Sequence, residues 1–283
     1  MRTPDGFSHH TLQLPEVRLH YVRGGSGPPV VLLHGWSQTW YEWRRVLSAL
    51  ARRYTVVAPD LRGLGDSSKP ETGYDKRTVA GDIALLADAL GLEHFSVVGH
   101  DHGAAVAYAL AAAERDRVER LAIVEMLLMG AGGELGLDHS QGGGLWHLSF
   151  HACGGETAEA LIRGRERMYL TWFYWNFAYD RAAIEDEAVD EYVRCYSAPG
   201  GLRLEYYRTF FQDAEHTKES MKQKLTIPVL ALGGDACLGE LPIGCMQLLA
   251  DDVRGASIPE CGHFVPEERP DAFLEHLLPF LEA

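Results

Sequence analysis

Five short apolar runs, each ending in a polar or glycine-bearing turn, constrain this chain more than any other feature. They are Pro29–Leu33 (PVVLL), Tyr54–Ala58 (YTVVA), Phe95–Val98 (FSVV), Leu121–Val124 (LAIV) and Ile227–Leu232 (IPVLAL). Runs this short and this continuous suit parallel strands buried on both faces. Ala256-Ser257-Ile258 reads as one more strand, and Leu12-Gln13-Leu14 with Val17–Val22 as a hairpin around Pro15. Between the runs lie helical patterns at Trp43–Arg52, Lys76–Leu90 and Ala104–Arg115, with a last helix after Pro266. Alternating strands and helices predict an α/β fold with a mostly parallel, doubly wound sheet. The alternation stops between about residue 130 and residue 224, where the patterns are amphipathic and aromatic helices. The expected organisation is therefore a first core part over 1–129, an inserted helical cap over 130–224 and a second core part over 225–283. Such an insertion would lie over the carboxyl ends of the strands, where open α/β sheets bind ligands. The glycine-rich stretch GAGGELGLDHSQGGG that begins it is placed to set access.

Composition narrows the partners. The net charge of −14 argues against nucleic acids and anionic membrane surfaces, which call for basic patches. The beginning, MRTPDGFSHH, has no apolar core of a secretory signal, and no run reaches membrane-spanning length. Five scattered cysteines without a C-x-x-C pair signal neither a disulfide framework nor a zinc site, and fit a reducing, cytoplasmic location. A small neutral molecule is the default substrate.

The chemistry concentrates in FSVVGHDHGAAVAYALA, Phe95–Ala111, a strand, a tight turn and a helix. Its turn, Gly99-His100-Asp101-His102-Gly103, has the form of the G-x-S-x-G nucleophile turn with aspartate in place of serine. A carboxylate is already ionised at neutral pH and needs no base before it attacks. On a carbonyl it would give only an anhydride; on a saturated carbon bearing a strained or good leaving group it gives an ester. Asp101 therefore points to epoxides or carbon–halogen bonds. Hydrolysis of the ester then requires a base for water and donors for the carbonyl oxygen. His263, in ECGHFVPEE after the last strand, is the candidate base. The backbone N–H groups of Trp36, in HGW, and His102 are the candidate oxyanion donors. An acid must hold the histidine's tautomer. Glu125, ending LAIVE, is preferred on position; Asp235, in GGDAC, is the alternative.

HGWSQTWYEW, APDLRGLGDSSKP, GYDKRTVAGDI, GHDHG and ECGHFVPEE together resemble the epoxide hydrolase and haloacetate dehalogenase branch of the α/β-hydrolase superfamily. HGWSQTWYEW, IVEM, LWHLSFH and LEYYRTF are more narrowly similar to the Cif-type epoxide hydrolases. That resemblance implies an α/β-hydrolase fold, no cofactor, no metal and a homodimer as one possible state. It also implies an aspartate nucleophile at Asp101, a base at His263, an acid at Glu125 and a cap pair at His147 and Tyr207. An alkoxide leaving group does need a proton or hydrogen-bond donor opposite the nucleophile, which a neutral tyrosine hydroxyl supplies. Haloacetate dehalogenases carry an arginine directly after the nucleophile and another nearby; His102 and Ala105 stand there. The expected reaction is thus the opening of a small apolar epoxide by water to a vicinal diol, with haloacetate or haloalkane dehalogenation as the alternative and a non-catalytic binding protein behind both. Among the remaining motifs, Tyr206 and His100 are expected to pack. Tyr169, Trp172, Phe173, Trp175 and Phe177 should form core between cap and sheet, Arg62 and Asp66 loop-fixing ion pairs, and Glu185-Asp186-Glu187 a solvated face.

Overall fold

The computed structural model describes residues 3–138, 145–154 and 156–283 of the 283. Its centre is one eight-stranded sheet: β1 (Phe7–Gln13), β2 (Arg18–Gly25), β3 (Pro29–Leu33), β4 (Thr55–Pro59), β5 (Phe95–His100), β6 (Val118–Val124), β7 (Val229–Gly234) and β8 (Val253–Ile258). The spatial order is β1-β2-β4-β3-β5-β6-β7-β8. β1 and β2 pair antiparallel, as do β2 and β4, and every later pair is parallel. β3, β5 and β7 are buried almost throughout, as the unbroken apolar runs require. The hairpin is longer than its apolar pattern, because β1 begins at Phe7 and most of its residues face solvent. An edge strand with one wet side carries polar residues that conceal it in the sequence.

The strand order reverses between β3 and β5, since the chain moves from β3 outward to β4 and returns to β5 on the other side. This switch point opens a crevice at the carboxyl ends of β3 and β5. HGW follows β3 and GHDHG ends β5, so topology alone brings these two motifs together. Helices 44–50 and 270–282 pack against one another, and helix 76–89 packs on helix 102–113.

Between β6 and β7 the described residues form helices at 146–152, 157–162, 166–177, 186–197, 205–208 and 210–220, preceded by one short turn of helix at 133–137. The access expectation for the glycine-rich stretch falls largely on residues 139–144, which lie outside the described residues. Discrete polar ties hold this segment to the sheet side. The Lys76 ammonium meets the Asp213 carboxylate at 2.8 Å while Lys76 N–H donates to its other oxygen, and both side chains are buried. Tyr174 and Ser37 exchange hydrogen bonds, and Phe177 C=O accepts from His263 N–H at 2.8 Å. Arg62 and Asp66 do not pair with one another. Arg62 forms a buried two-pronged bridge to Asp82, whereas Asp66 reaches across to Arg194 on helix 186–197. The aromatic run also divides: Phe173 is buried, while Trp172 and Trp175 are 39% and 53% exposed. On a helix, residues two apart cannot share a face.

Candidate active site

Asp101 is built into the turn by backbone geometry that few residues tolerate. Its φ of 50° is in the left-handed region, where a side chain strains the backbone. The flanking glycines explain why the turn closes at all. A Cβ on Gly99 would lie 2.3 Å from Gly103 C=O, and one on Gly103 would lie 2.1 Å from Leu33 C=O. The tight turn turns the carboxylate away from the sheet and leaves the N-terminus of helix 102–113 beneath it. Asp101 Oδ1 accepts from Trp36 N–H at 2.9 Å. The other oxygen, Oδ2, is 3.7 Å from His263 Nε2.

His263 is oriented from behind. Its Nδ1 is 3.1 Å from Glu125 Oε2. Glu125 is 1% exposed and has a φ of 50° at the end of β6. Its second oxygen, Oε1, accepts from Gly234 N–H at 2.7 Å and Leu238 N–H at 3.2 Å. A buried carboxylate with three donors has its charge satisfied and its position fixed. Asp235 is exposed and instead accepts from Cys261 N–H at 3.1 Å. Of the two acids left open by the sequence, Glu125 is the one that meets His263.

A cavity of about 320 Å³ opens over these groups, lined by Asp101, His102, Glu125 and His263 on the sheet side. Trp36, His147, Phe173, Phe177, Tyr207 and Phe210 stand around it, and Leu127, Leu148, Leu238 and Leu241 also line it. Its wall is mainly apolar, and among the described residues that line it there is no lysine or arginine. The structure thus brings Asp101, His263, Glu125, His147, Tyr207, Trp36 and His102 to one cavity.

Electrostatics separate the two sides. Burial pushes the Asp101 pKa up, but the imidazoles of His102, His263 and His100 and the His102 backbone N–H outweigh it and hold the carboxyl below its usual range. His102 is itself depressed to about 4 by desolvation, so it is neutral at pH 7. His100 is the charged neighbour. Its burial opposes charge, yet Glu42 at 3.2 Å raises it to about 9. On the opposite wall His147 is depressed to about 4 by desolvation. Its Nδ1 has no hydrogen-bond partner among the described residues. Desolvation, then the Asp101 charge, push the Tyr207 hydroxyl well above its ordinary value, so it keeps its proton. Tyr207 packs edge-on to His102, Trp36 and His151. Tyr206 is fully buried, and its hydroxyl donates to Arg62 C=O at 2.9 Å.

Three neighbours of the site were not singled out from the sequence. Glu42 is wholly buried and ties the site together, accepting from Gly35 N–H and meeting His100, whose Nε2 reaches His263 C=O at 2.9 Å. A glutamate inside WYEW, with aromatics on both sides, was the available signal. Cys237 brings its sulfur within 4.8 Å of the Glu125 carboxylate and lines the cavity; nothing in GGDAC marks it. His151 sits behind Tyr207 with its Nε2 2.6 Å from Tyr169 Oη. Among aromatic residues at helical spacing, its position could not be foreseen.

Comparison with known proteins bears on the fold and the family. Residues 28–145 match the α/β-hydrolase fold family. The chain is 42% identical to a soluble epoxide hydrolase from Corynebacterium sp. (strain C12), covering 96% of each chain. It is 30% identical to a fluoroacetate dehalogenase from Burkholderia sp., over 98% of this chain and 94% of that one. The solved structure of the epoxide hydrolase CorEH without ligand superposes with a TM-score of 0.90 at 42% identity, covering 98% of this chain and 99% of that one. Identity and superposition extend over nearly the whole chain: it belongs to the α/β-hydrolase family, on the branch that holds the soluble epoxide hydrolases.

Proposed function

We propose that the protein hydrolyses small apolar epoxides to vicinal diols through an ester on Asp101. The observation that carries the reading is the facing of two unlike walls across one cavity, an ionised carboxylate opposite a neutral hydroxyl and imidazole. In the first step Asp101 Oδ2 attacks an epoxide carbon and the ring C–O bond breaks. The Tyr207 hydroxyl protonates the oxygen set free, while neutral His147 hydrogen-bonds it. In the second step His263 Nε2 takes a proton from water, and the hydroxide formed adds to the Asp101 carbonyl carbon. Charge builds on Oδ1, where the Trp36 and His102 N–H groups receive it. Collapse breaks the bond from the carbonyl carbon to the former Oδ2, which leaves with the diol and takes the proton of the added hydroxyl. Asp101 thereby returns to a carboxylate, and the proton on His263 returns through solvent to Tyr207. Glu125 stabilises the imidazolium throughout. On this reading residues 130–224 act as the cap that supplies His147 and Tyr207 and excludes bulk water.

The dehalogenase alternative is less well supported. A haloacetate substrate brings its own carboxylate, and neither His102, neutral at pH 7, nor Ala105 can bind it as a cation. Lys76, whose charge acts on His102, is engaged by Asp213. A single turnover of epoxide in ¹⁸O-labelled water tests the reading. The first diol should carry no label and Asp101 should acquire it; label in the first diol would mean direct hydration and end the covalent mechanism.

A further inference from the structure

Three carboxylate-bearing clusters among the described residues bring metal-ligating atoms within 4.8 Å of one another. Two are already committed. In the His20–Asp60–Asp66 group, Asp60 accepts from Trp40 N–H, Asp66 N–H and His20. In the Asp75–Asp213–His216 group, Asp213 neutralises Lys76. The third is Glu125, Cys237 and His263, which alone contains sulfur and alone faces the cavity.

We infer that Cys237, Glu125 and His263 form a binding site for a soft divalent cation, Zn²⁺ or Cd²⁺, whose occupancy stops turnover. The three ligands come from three different segments: the end of β6, the turn after β7 and the loop after β8. Their ligand atoms converge within 4.8 Å of one another, and all three residues line the cavity, which is large enough to admit a hydrated ion. Glu125 is held by Gly234 and Leu238 N–H through Oε1, which leaves Oε2 turned toward His263. Thiolate, imidazole and carboxylate together suit zinc and cadmium, and a sulfur ligand disfavours magnesium and calcium. Binding requires the thiol to release one proton to solvent, so that thiolate and carboxylate balance the dication. The metal replaces the proton on His263 Nδ1, and that proton moves to Nε2.

The consequence for turnover rests on reading His263 as the base for water. With a proton on Nε2 the ring has no lone pair facing Asp101, so it cannot accept a proton from water. Asp101 keeps its charge and can still open an epoxide. The metal-loaded protein should therefore form its ester once and stop.

Titration with CdCl₂ in the absence of substrate tests the site itself, followed through the cadmium–thiolate charge-transfer absorption. One Cd²⁺ per chain should give the band in the native protein and in Cys153→Ser, which removes the exposed thiol, and Cys237→Ser should lose it. A native protein without the band, or a band that survives Cys237→Ser, overturns the site. Should Cys237→Ser fail to fold, His263→Gln must still weaken Cd²⁺ binding by more than about tenfold. Unchanged affinity there also overturns it. Addition of an epoxide then tests the inhibitory half by intact mass: Cd²⁺-loaded protein should gain one epoxide and stop, and turnover at the metal-free rate refutes inhibition. Metal-free protein that leaves every epoxide untouched refutes the proposed function while the titration still decides the site.

Discussion

The two walls of the cavity are held by different physics. On the sheet side, Asp101 and Glu125 sit at strand ends with left-handed backbones, and their oxygens are fixed by N–H groups of Trp36, Gly234 and Leu238. On the helical side, His147 and Tyr207 are positioned by aromatic packing against Phe173, Phe177, Trp36 and His102. Backbone donors preserve charge inside a protein, whereas apolar packing removes it. One wall thus holds ions and the other holds neutral donors. The difference teaches that Asp101 and His263, the proposed nucleophile and base, depend on the sheet, and Tyr207, the proposed acid, on how the inserted segment packs over it.

Asp101→Asn tests the charged wall most severely. It keeps the shape and removes the nucleophile, so kcat/KM for an epoxide should fall on the order of 10⁴-fold or more. Intact mass should show no epoxide adduct; an adduct or retained activity would break the comparison at its centre. Glu125→Gln should cost roughly 10³-fold in kcat, because Nδ1 of His263 loses the anion that stabilises its charged form. Asp235→Asn should change the same rate less than about threefold, in line with a solvent-exposed carboxylate. A reversed order would move the acid to Asp235.

Tyr207→Phe probes the neutral wall and should slow ester formation by about 10²-fold while leaving ester hydrolysis nearly unchanged. Rapid-quench detection of the ester separates the two steps, and equal slowing of both would deny the wall its separate role. The smallest effect is on stability. His102 and His147 have folded pKa values of about 4, against about 6.5 in the unfolded chain. Between these values the unfolded state binds more protons, so stability rises with pH and is lost as pH falls from about 6.5 to about 4. His100 runs the other way: raised to about 9, its contribution is full below about 6.5 and fades as pH rises through 9. Thermal melts should therefore show Tm falling between pH 7 and pH 5, and less steeply in His147→Phe. A Tm that is flat over that interval would contradict neutral histidines in the cavity.

Legibility followed the same division. The parallel strands could be read because β3, β5 and β7 are wet on neither face, and Asp101 because Gly99 and Gly103 are demanded by contacts under 2.4 Å. The edge strand β1 was read short because a strand with one solvated face has no apolar run. Arg62 and Asp66 do form ion pairs, but their partners could not be read, because sequence proximity says nothing about which carboxylate a buried guanidinium will meet; Asp82, twenty positions on, meets Arg62 in a two-pronged bridge, and Asp66 meets Arg194. His147 and Tyr207 entered only through resemblance, since helical aromatics give no local sign of whether they face a cavity or a core.

By itself the amino-acid order determined the α/β class, the family and an aspartate at the elbow, because strand burial and the elbow's steric demands act over a few neighbouring residues. Tertiary structure alone decided between Glu125 and Asp235, placed Cys237 and Glu42 beside the charges, and made His147 neutral while His100 became charged. Those outcomes depend on distances between segments far apart in the chain and on how much water each side chain keeps. Neither quantity is written in local sequence.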